Sequence, residues 1–468
     1  MEMSQLQSAR FLSNNLELLG FGDPTSALIQ AIKELFENAL DAMQHNETGM
    51  IAVQVREANG NANVLEIICT DTGSGMQANQ IARLCGNVFA TTKLPGTTTK
   101  SQCGKFGLGL KAALLYSQTQ VSIDDACLKV ASTLNSSEFY YAELVIHPEA
   151  PSPDGGALIR KSQLFQVSEL HQMFSGTEIR LQLPRPVNLM DALKALMYYF
   201  DTLRFCLEAA VSVDFGCDVP GFDQCKIHCS SMVSPVERFL DAFKCPSNAL
   251  AQANVDCNSF HVDCLAVAPY LDEVDLDGRC SIALHVMRFV NHVPLLPEKD
   301  IYVCAIIAAI QRSNWRSLGY KCVMSESIYA PLQLVPLTVN ERMSSQESKH
   351  VVISVNMDTC GEPTRYSSLT KSALVEATYG EGVQNCMALM LDQLALLYPV
   401  LFERRANPST ELARNFAPLI VTSVSGILLN ATFAGVDVTH FEAGNPLYGV
   451  QSRLELEHRV LDIMTTLL

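Results

Sequence analysis

Positive charge is in short supply along this chain: 33 Lys and Arg stand against 49 Asp and Glu, a formal charge of -16 over 468 residues. That sign excludes a protein that wraps nucleic acid over its whole surface, because phosphate backbones demand a basic footprint. Long apolar runs are missing too. The nearest to a membrane span, "APLIVTSVSGILLNATFAGV", is diluted by Ser, Thr, Asn and Gly. Charged residues make up only 18% of the chain and hydrophobic ones 48%, which excludes a disordered polymer and allows two or three buried cores. The 16 cysteines are scattered singly and no signal peptide opens the sequence, so reduced thiols inside a cell are expected rather than a disulfide scaffold. Cys217, Cys225, His228 and Cys229 form the one local cluster, with zinc-ligand chemistry but without paired CxxC spacing. Neither internal repeats nor low-complexity tracts are present.

What is there reads as α/β. Up to about residue 184 a helix near 25–45, strands "IAVQVREA" and "VLEIICTD", a Gly/Thr-rich loop at 90–109, a helix "LKAALLYSQTQ" and further strands share one layered domain. The prolines of "LPRPV" (183–187) suggest a hinge, followed by a helical stretch from 188 to 211 and an irregular Cys-rich region. Strand and helix patterns resume from 258, with a long helical pattern at 381–404 and an amphipathic terminal segment. The expected divisions are 1–185, 186–257 as a linker region, 258–446, and a C-terminal helix at 447–468.

Three short stretches carry chemistry. In "ELFENALDAM", Glu34, Asn38 and Asp41 fall at helical spacing and point across one face. A carboxylate there can deprotonate water, and an amide oxygen suits Mg²⁺; a solvated helix face has the same pattern. In "VLEIICTDTGSGM", Asp71 ends a strand, with Gly73 and Gly75 beyond it. Such a carboxylate can accept a hydrogen bond from an exocyclic amine while the glycines let a flat ring approach, although DxGxG alone is also a common turn. In "CGKFGLGLKAALLYS", Gly104, Gly107 and Gly109 lead into a helix N-terminus, an arrangement that favours phosphate. A dinucleotide fingerprint would need a strand immediately upstream, where this chain has the polar loop "TTKLPGTTTKSQ".

In this order, followed by "SGTEIRL" with Gly176 and Thr177, the motifs resemble the Bergerat ATP-binding fold of the GHKL superfamily. Within it they are most similar to the B subunit of topoisomerase VI and its meiotic B-like relatives. The resemblance implies a two-layer α/β sandwich, a GHKL ATP-binding domain followed by a ribosomal-S5-domain-2-like βαβ transducer with C-terminal helices. It implies ATP and Mg²⁺ as ligands. Glu34 would be the general base, Asn38 the magnesium ligand, and Asp71 with Gly73, Gly75 and Thr177 the adenine site. Thr92 and Lys93 would belong to the lid. Gly104, Lys105, Phe106, Gly107, Leu108, Gly109, Leu110 and Lys111 would cradle the phosphates.

"RFVNHVPLL" and "IQRSNWRSLGY" are similar to the family's transducer, and "TRYSSLTKSALVE" falls where the switch lysine belongs, making Lys371 that residue. The implied partners are a second copy bound through ATP, a strand-cleaving A-type or meiotic cleavage subunit in an A2B2 heterotetramer, and double-stranded DNA held mainly through the complex; no membrane is implied. The implied location is nuclear in a eukaryote and cytoplasmic otherwise. The chain departs from the family pattern at Cys103 and His292, where Arg is expected, and in the helix-two-turn-helix module, reduced or absent near 230–255. The 447–468 segment would face the A-type subunit.

Overall fold

The computed structural model describes residues 9–43, 48–58, 60–91, 103, 107–121, 126–134, 138–149, 156–166, 176–207, 211–220, 225–229, 233–269, 281–296, 304–323, 331–337, 349–360, 364, 366, 370–371, 373–398 and 401. Thr92, Lys93, Gly104, Lys105, Phe106 and the 447–468 segment lie outside the described residues.

Eight strands form the first sheet: β1 (Gly49–Ala58), β2 (Asn61–Asp71), β3 (Leu128–Thr133), β4 (Glu138–Ile146), β5 (Ala157–Gln166), β6 (Gly176–Pro184), β7 (Val211–Asp218) and β8 (Cys225–Cys229), in the order β5-β4-β3-β6-β2-β1-β7-β8. Every pairing is antiparallel except β1 with β7. Helices α1 (Pro24–Ala42), α2 (Ala78–Gly86), α3 (Gly109–Gln120) and α4 (Leu189–Leu203) pack with the sheet in one apolar core. The sheet also carries polar pairs such as Arg56 with Glu66 (2.8 Å) and Arg180 with Glu178 (2.7 Å), as expected of antiparallel strands with one solvated face.

The 186–257 stretch, expected as a linker, supplies structural parts to both sheets. Its helix stops at Leu203 rather than continuing to 211, because the alternating "VSVDF" segment has strand periodicity and extends the first sheet as β7. Phe200 of α4 stacks on Phe215 of β7 at 4.4 Å and meets Phe36 of α1 edge-on at 5.3 Å, so this stretch helps to hold α1 in place. A capped helix, α5 (Pro235–Ala242), follows, with Ser234 and Glu237 forming a reciprocal capping box. Alternation along β8 puts His228 and Cys229 of the Cys/His cluster on opposite faces. His228 pairs with Asp214 on the exposed side (2.6 Å), whereas Cys229 is buried and its thiol donates to the Phe200 carbonyl. No group of three or more metal-ligating side chains occurs among the described residues.

The second sheet contains β9 (Ala251–Asp256), β10 (His261–Val267), β11 (Ile282–Val290), β12 (Val293–Pro294), β13 (Tyr320–Val323), β14 (Leu332–Pro336) and β15 (Lys349–Asp358). Its order is β13-β14-β11-β15-β10-β9, with β12 paired to β11. Helices α6 (Ala305–Arg312) and α7 (Glu376–Leu397) share a core with one face of it. From this sheet Leu265, Val267, Met287, Phe289 and Val352 join the core of the first domain, so the two units share an apolar interface. Asn291 and His292, both at positive φ (53° and 61°), make the two-residue turn between β11 and β12. That turn touches the first domain, where the Cys206 thiol donates to the His292 carbonyl (3.0 Å). No helix among the described residues is long and apolar enough to cross a membrane.

Candidate functional site

Helix α1 starts where Asp23 accepts from the Thr25 and Ser26 N–H groups (2.9 and 3.1 Å), with Pro24 opening the first turn. Ala27, Leu28, Ala31, Ile32, Leu35 and Phe36 bury its apolar side. Gln30, Glu34, Glu37 and Asp41, spaced by four, three and four, make a polar stripe down another side. The stripe is not a solvated face: each of the four is less than a tenth exposed. Buried carboxylates need partners, and each has one.

Glu34 Oε1 accepts from Gln30 Nε2 at 3.0 Å and lies 3.0 Å from Lys371 Nζ, while Glu37 Oε2 accepts from Lys371 Nζ at 2.7 Å. Lys371 comes from the second unit, at a φ of 58° that costs an L-residue about 1–2 kcal/mol. Burial disfavours its charge, but the Glu34 and Glu37 carboxylates outweigh burial and hold the ammonium well above lysine's ordinary value. Asp41 Oδ1 accepts from the Cys103 N–H (2.9 Å), tying the start of the glycine turn to α1. Asn38 is half-buried one turn beyond Glu34.

The glycine turn fits closely against this stripe. A side chain at Gly109 would overlap Glu34, its Cβ falling 2.0 Å from Oε2. Gly107 has a φ of 60° and lies against the Ala90 carbonyl. Helix α3 begins at Gly109 after Leu108, which cannot cap it with a side chain, so the first-turn N–H groups have no intrahelical acceptor. Lys111 is buried and donates to the Ala90 carbonyl at 3.1 Å, anchoring the entry to the 92–102 stretch.

Asp71, at the end of β2, is paired with Thr177, at the start of β6. The Asp71 carboxyl accepts from the Gly73 N–H at 2.8 Å and from the Thr177 N–H. Burial nevertheless dominates and raises its pKa from 3.8 to about 6. Gly75, at a φ of 68°, passes so close to the Thr133 carbonyl that a Cβ would fall 1.9 Å from it. Ser132 was not singled out from sequence. Its hydroxyl accepts from the Met76 N–H (2.8 Å) and lies 2.9 Å from Thr177 Oγ1, joining the DxGxG turn to the β6 entry. Gln30 and Glu37 were likewise missed as site groups; their place in the stripe with Glu34 was the available signal.

A helix bearing buried acid and amide groups packs with a largely antiparallel sheet, and a glycine turn feeds a second helix, an α/β arrangement whose helix N-terminus can accept an anion. Residues 25–136 match the family described as Histidine kinase-, DNA gyrase B-, and HSP90-like ATPase. The fold is that of the 43K ATPase domain of Thermus thermophilus gyrase B, solved with an aminocoumarin: TM-score 0.50 over 89% of this chain and 100% of that one, at 12% identity.

More particularly, the chain is similar to curated proteins named as the B subunit of type 2 DNA topoisomerase 6. That of Pyrobaculum aerophilum is 34% identical over 149 residues, 32% of this chain and 27% of that one. That of Sulfurisphaera tokodaii is 30% identical over 183 residues, 39% and 32% of the two chains. The chain thus matches a third or less of these relatives' length, and both relatives are archaeal, which lends no support to the nuclear expectation.

Proposed function

We propose that this chain is the ATP-binding and ATP-hydrolysing B subunit of a topoisomerase VI-type complex. The observation that carries the reading is the convergence of Glu34 from the first unit and Lys371 from the second, 3.0 Å apart beside the glycine turn. ATP is the substrate. Its adenine amine donates to Asp71, and its phosphates lie on the N–H groups around Gly107, Leu108, Gly109 and the start of α3. Glu34 takes a proton from a water whose oxygen bonds to the terminal phosphorus as the bridging P–O bond breaks and ADP leaves. Lys371 neutralises the terminal phosphate, so the angle between the units depends on which nucleotide is bound.

The residues suit Mg²⁺, with hard oxygen donors beside a phosphate cradle, and the Asn38 amide oxygen would hold it. Bound there, the ion supplies charge neutralisation on the phosphates. Two such chains would close on ATP and drive a partner A-type subunit to break and pass double-stranded DNA, which the acidic B subunit itself holds loosely. The absence of positive charge at Cys103 favours a second reading, a meiotic B-like partner with weak turnover. A binding scaffold without turnover is the alternative of another class.

Purified chain, with its cleavage subunit and DNA, should turn over ATP. Glu34→Ala should keep binding and lose turnover. A wild type that binds ATP but never hydrolyses it in that mixture supports the scaffold and overturns the enzyme, and failure of any A-type subunit to copurify with the full chain overturns the complex.

A further inference from the structure

Glu37 has no part in that scheme, yet it makes the shorter of the two contacts to Lys371, 2.7 Å against 3.0 Å for Glu34. Its side chain is more deeply buried than that of Glu34 or Lys371, at 5% exposure. We infer that Glu37 is a positioning residue that parks Lys371 in the cleft when no triphosphate is bound, forming a latch between the two units that a terminal phosphate opens on the Glu34 side only. The inference rests on the reading of Glu34 as general base.

Charge decides the argument. Two buried carboxylates one turn apart on α1 repel each other, and the Lys371 ammonium lies within 3.0 Å of both. Without nucleotide, Lys371 is therefore drawn into the cleft and occupies Glu34 Oε1, the same oxygen held by Gln30. An entering phosphate is a stronger anion and competes for the ammonium. Were Glu34 the lysine's sole partner, release would free the lysine altogether. With Glu37 three residues further along the helix, Lys371 can leave Glu34 and stay against α1. Glu34 then regains a lone pair for water while the second unit stays docked.

The chain around Lys371 fits such a latch. Tyr366 bridges to Leu374 to close its loop, Thr364 is held by Asn291, and Thr370 lies against Gly20 of the first unit. Lysine in the left-handed region, with its ammonium between two acids, is a conformation that these contacts must maintain.

The test compares wild type, Glu37→Gln, Lys371→Met and the double variant as full chains, by hydrogen exchange of peptides containing Thr370 and Lys371 without nucleotide. The latch predicts at least five-fold faster exchange in each single variant, no further increase in the double variant, and restoration towards wild type in Glu37→Asp. With ATP, Glu37→Gln should lose at least ten-fold in kcat with little change in analogue affinity. Wild-type exchange rates in Glu37→Gln, or effects that add in the double variant, overturn the latch. If Glu37→Gln does not fold, Lys371→Met alone carries the test, because unchanged exchange there overturns the latch equally. Coupled exchange in a protein that never hydrolyses ATP would leave the latch standing and remove the enzyme reading; turnover with uncoupled exchange would do the reverse.

Discussion

Glu34 Oε2 occupies the space that a side chain at residue 109 would need, 2.0 Å from where a Cβ would lie. Gly109 is the first residue of α3, where alanine has better helix propensity, so substitution does not damage the helix itself. The damage falls on Glu34, whose carboxylate must swing away. Gly109→Ala should keep its circular dichroism and melting temperature within a few degrees, while ATP turnover drops by about 100-fold, the scale of losing a positioned base. Near-normal turnover in a steady-state assay would separate Glu34 from the chemistry.

The motifs around this pair were legible because each uses local spacing: polar residues at helical intervals, an acid at a strand end, glycines before a helix. Two things were not. The polar stripe of α1 meets Lys371, 334 residues beyond Glu37, and no local pattern states that meeting. Ser132 becomes a site residue only through its register opposite Thr177 on β6, which is a long-range pairing. The helix expected to run from 188 to 211 shows the converse: helical spacing was extrapolated into "VSVDF", whose alternation belongs to a strand.

Asp71 ties binding to stability with opposite signs. Its carboxyl titrates at about 6 in the folded chain against 3.8 ordinarily, so between these values the folded state holds the extra proton. The stability it contributes is present below 3.8 and is lost as pH rises through about 6. Asp71→Asn, which cannot ionise, should be more stable than wild type at about pH 8 by up to ~3 kcal/mol, and no more stable at about pH 4. Adenine nucleotide affinity should behave inversely. The wild type should bind about five-fold tighter above pH 6 than below it, because an ionised acceptor is worth roughly 1 kcal/mol more. Calorimetry on both proteins separates this from titration of the phosphates, since Asp71→Asn should show only the latter.

Phe36 lies next to Glu37 in sequence, about 100° round α1 from it, where it meets Phe200 at 5.3 Å and Tyr199 at 5.9 Å. Phe36→Ala removes a fully buried ring and should cost about 3–5 kcal/mol in urea denaturation. Because α1 also carries the acid stripe, the site should loosen with the core. ATP turnover should fall at temperatures where the variant is still folded, and a loss of stability with unchanged turnover would show that the stripe is held from its own side.

Asn291, in the β11–β12 turn, holds Thr364 in the segment before Lys371. Its amide donates to Thr364 at 2.9 Å and accepts from the Thr359 N–H at 2.9 Å and hydroxyl at 3.1 Å, all from a backbone at positive φ. Asparagine tolerates that conformation, whereas alanine pays about 1–2 kcal/mol there. Alanine also strands the buried Thr359 N–H, for roughly another 1–2 kcal/mol. Asn291→Ala should therefore lose about 2–4 kcal/mol in urea denaturation, and Asn291→Gly, which escapes the strain but not the lost hydrogen bonds, about half as much. The same two variants should speed exchange around Thr370 and Lys371 to similar extents, because it is the side chain, not the turn backbone, that holds Thr364. If glycine restored slow exchange while alanine did not, the turn's conformation alone would position the lysine, and the Asn291 amide would be a bystander.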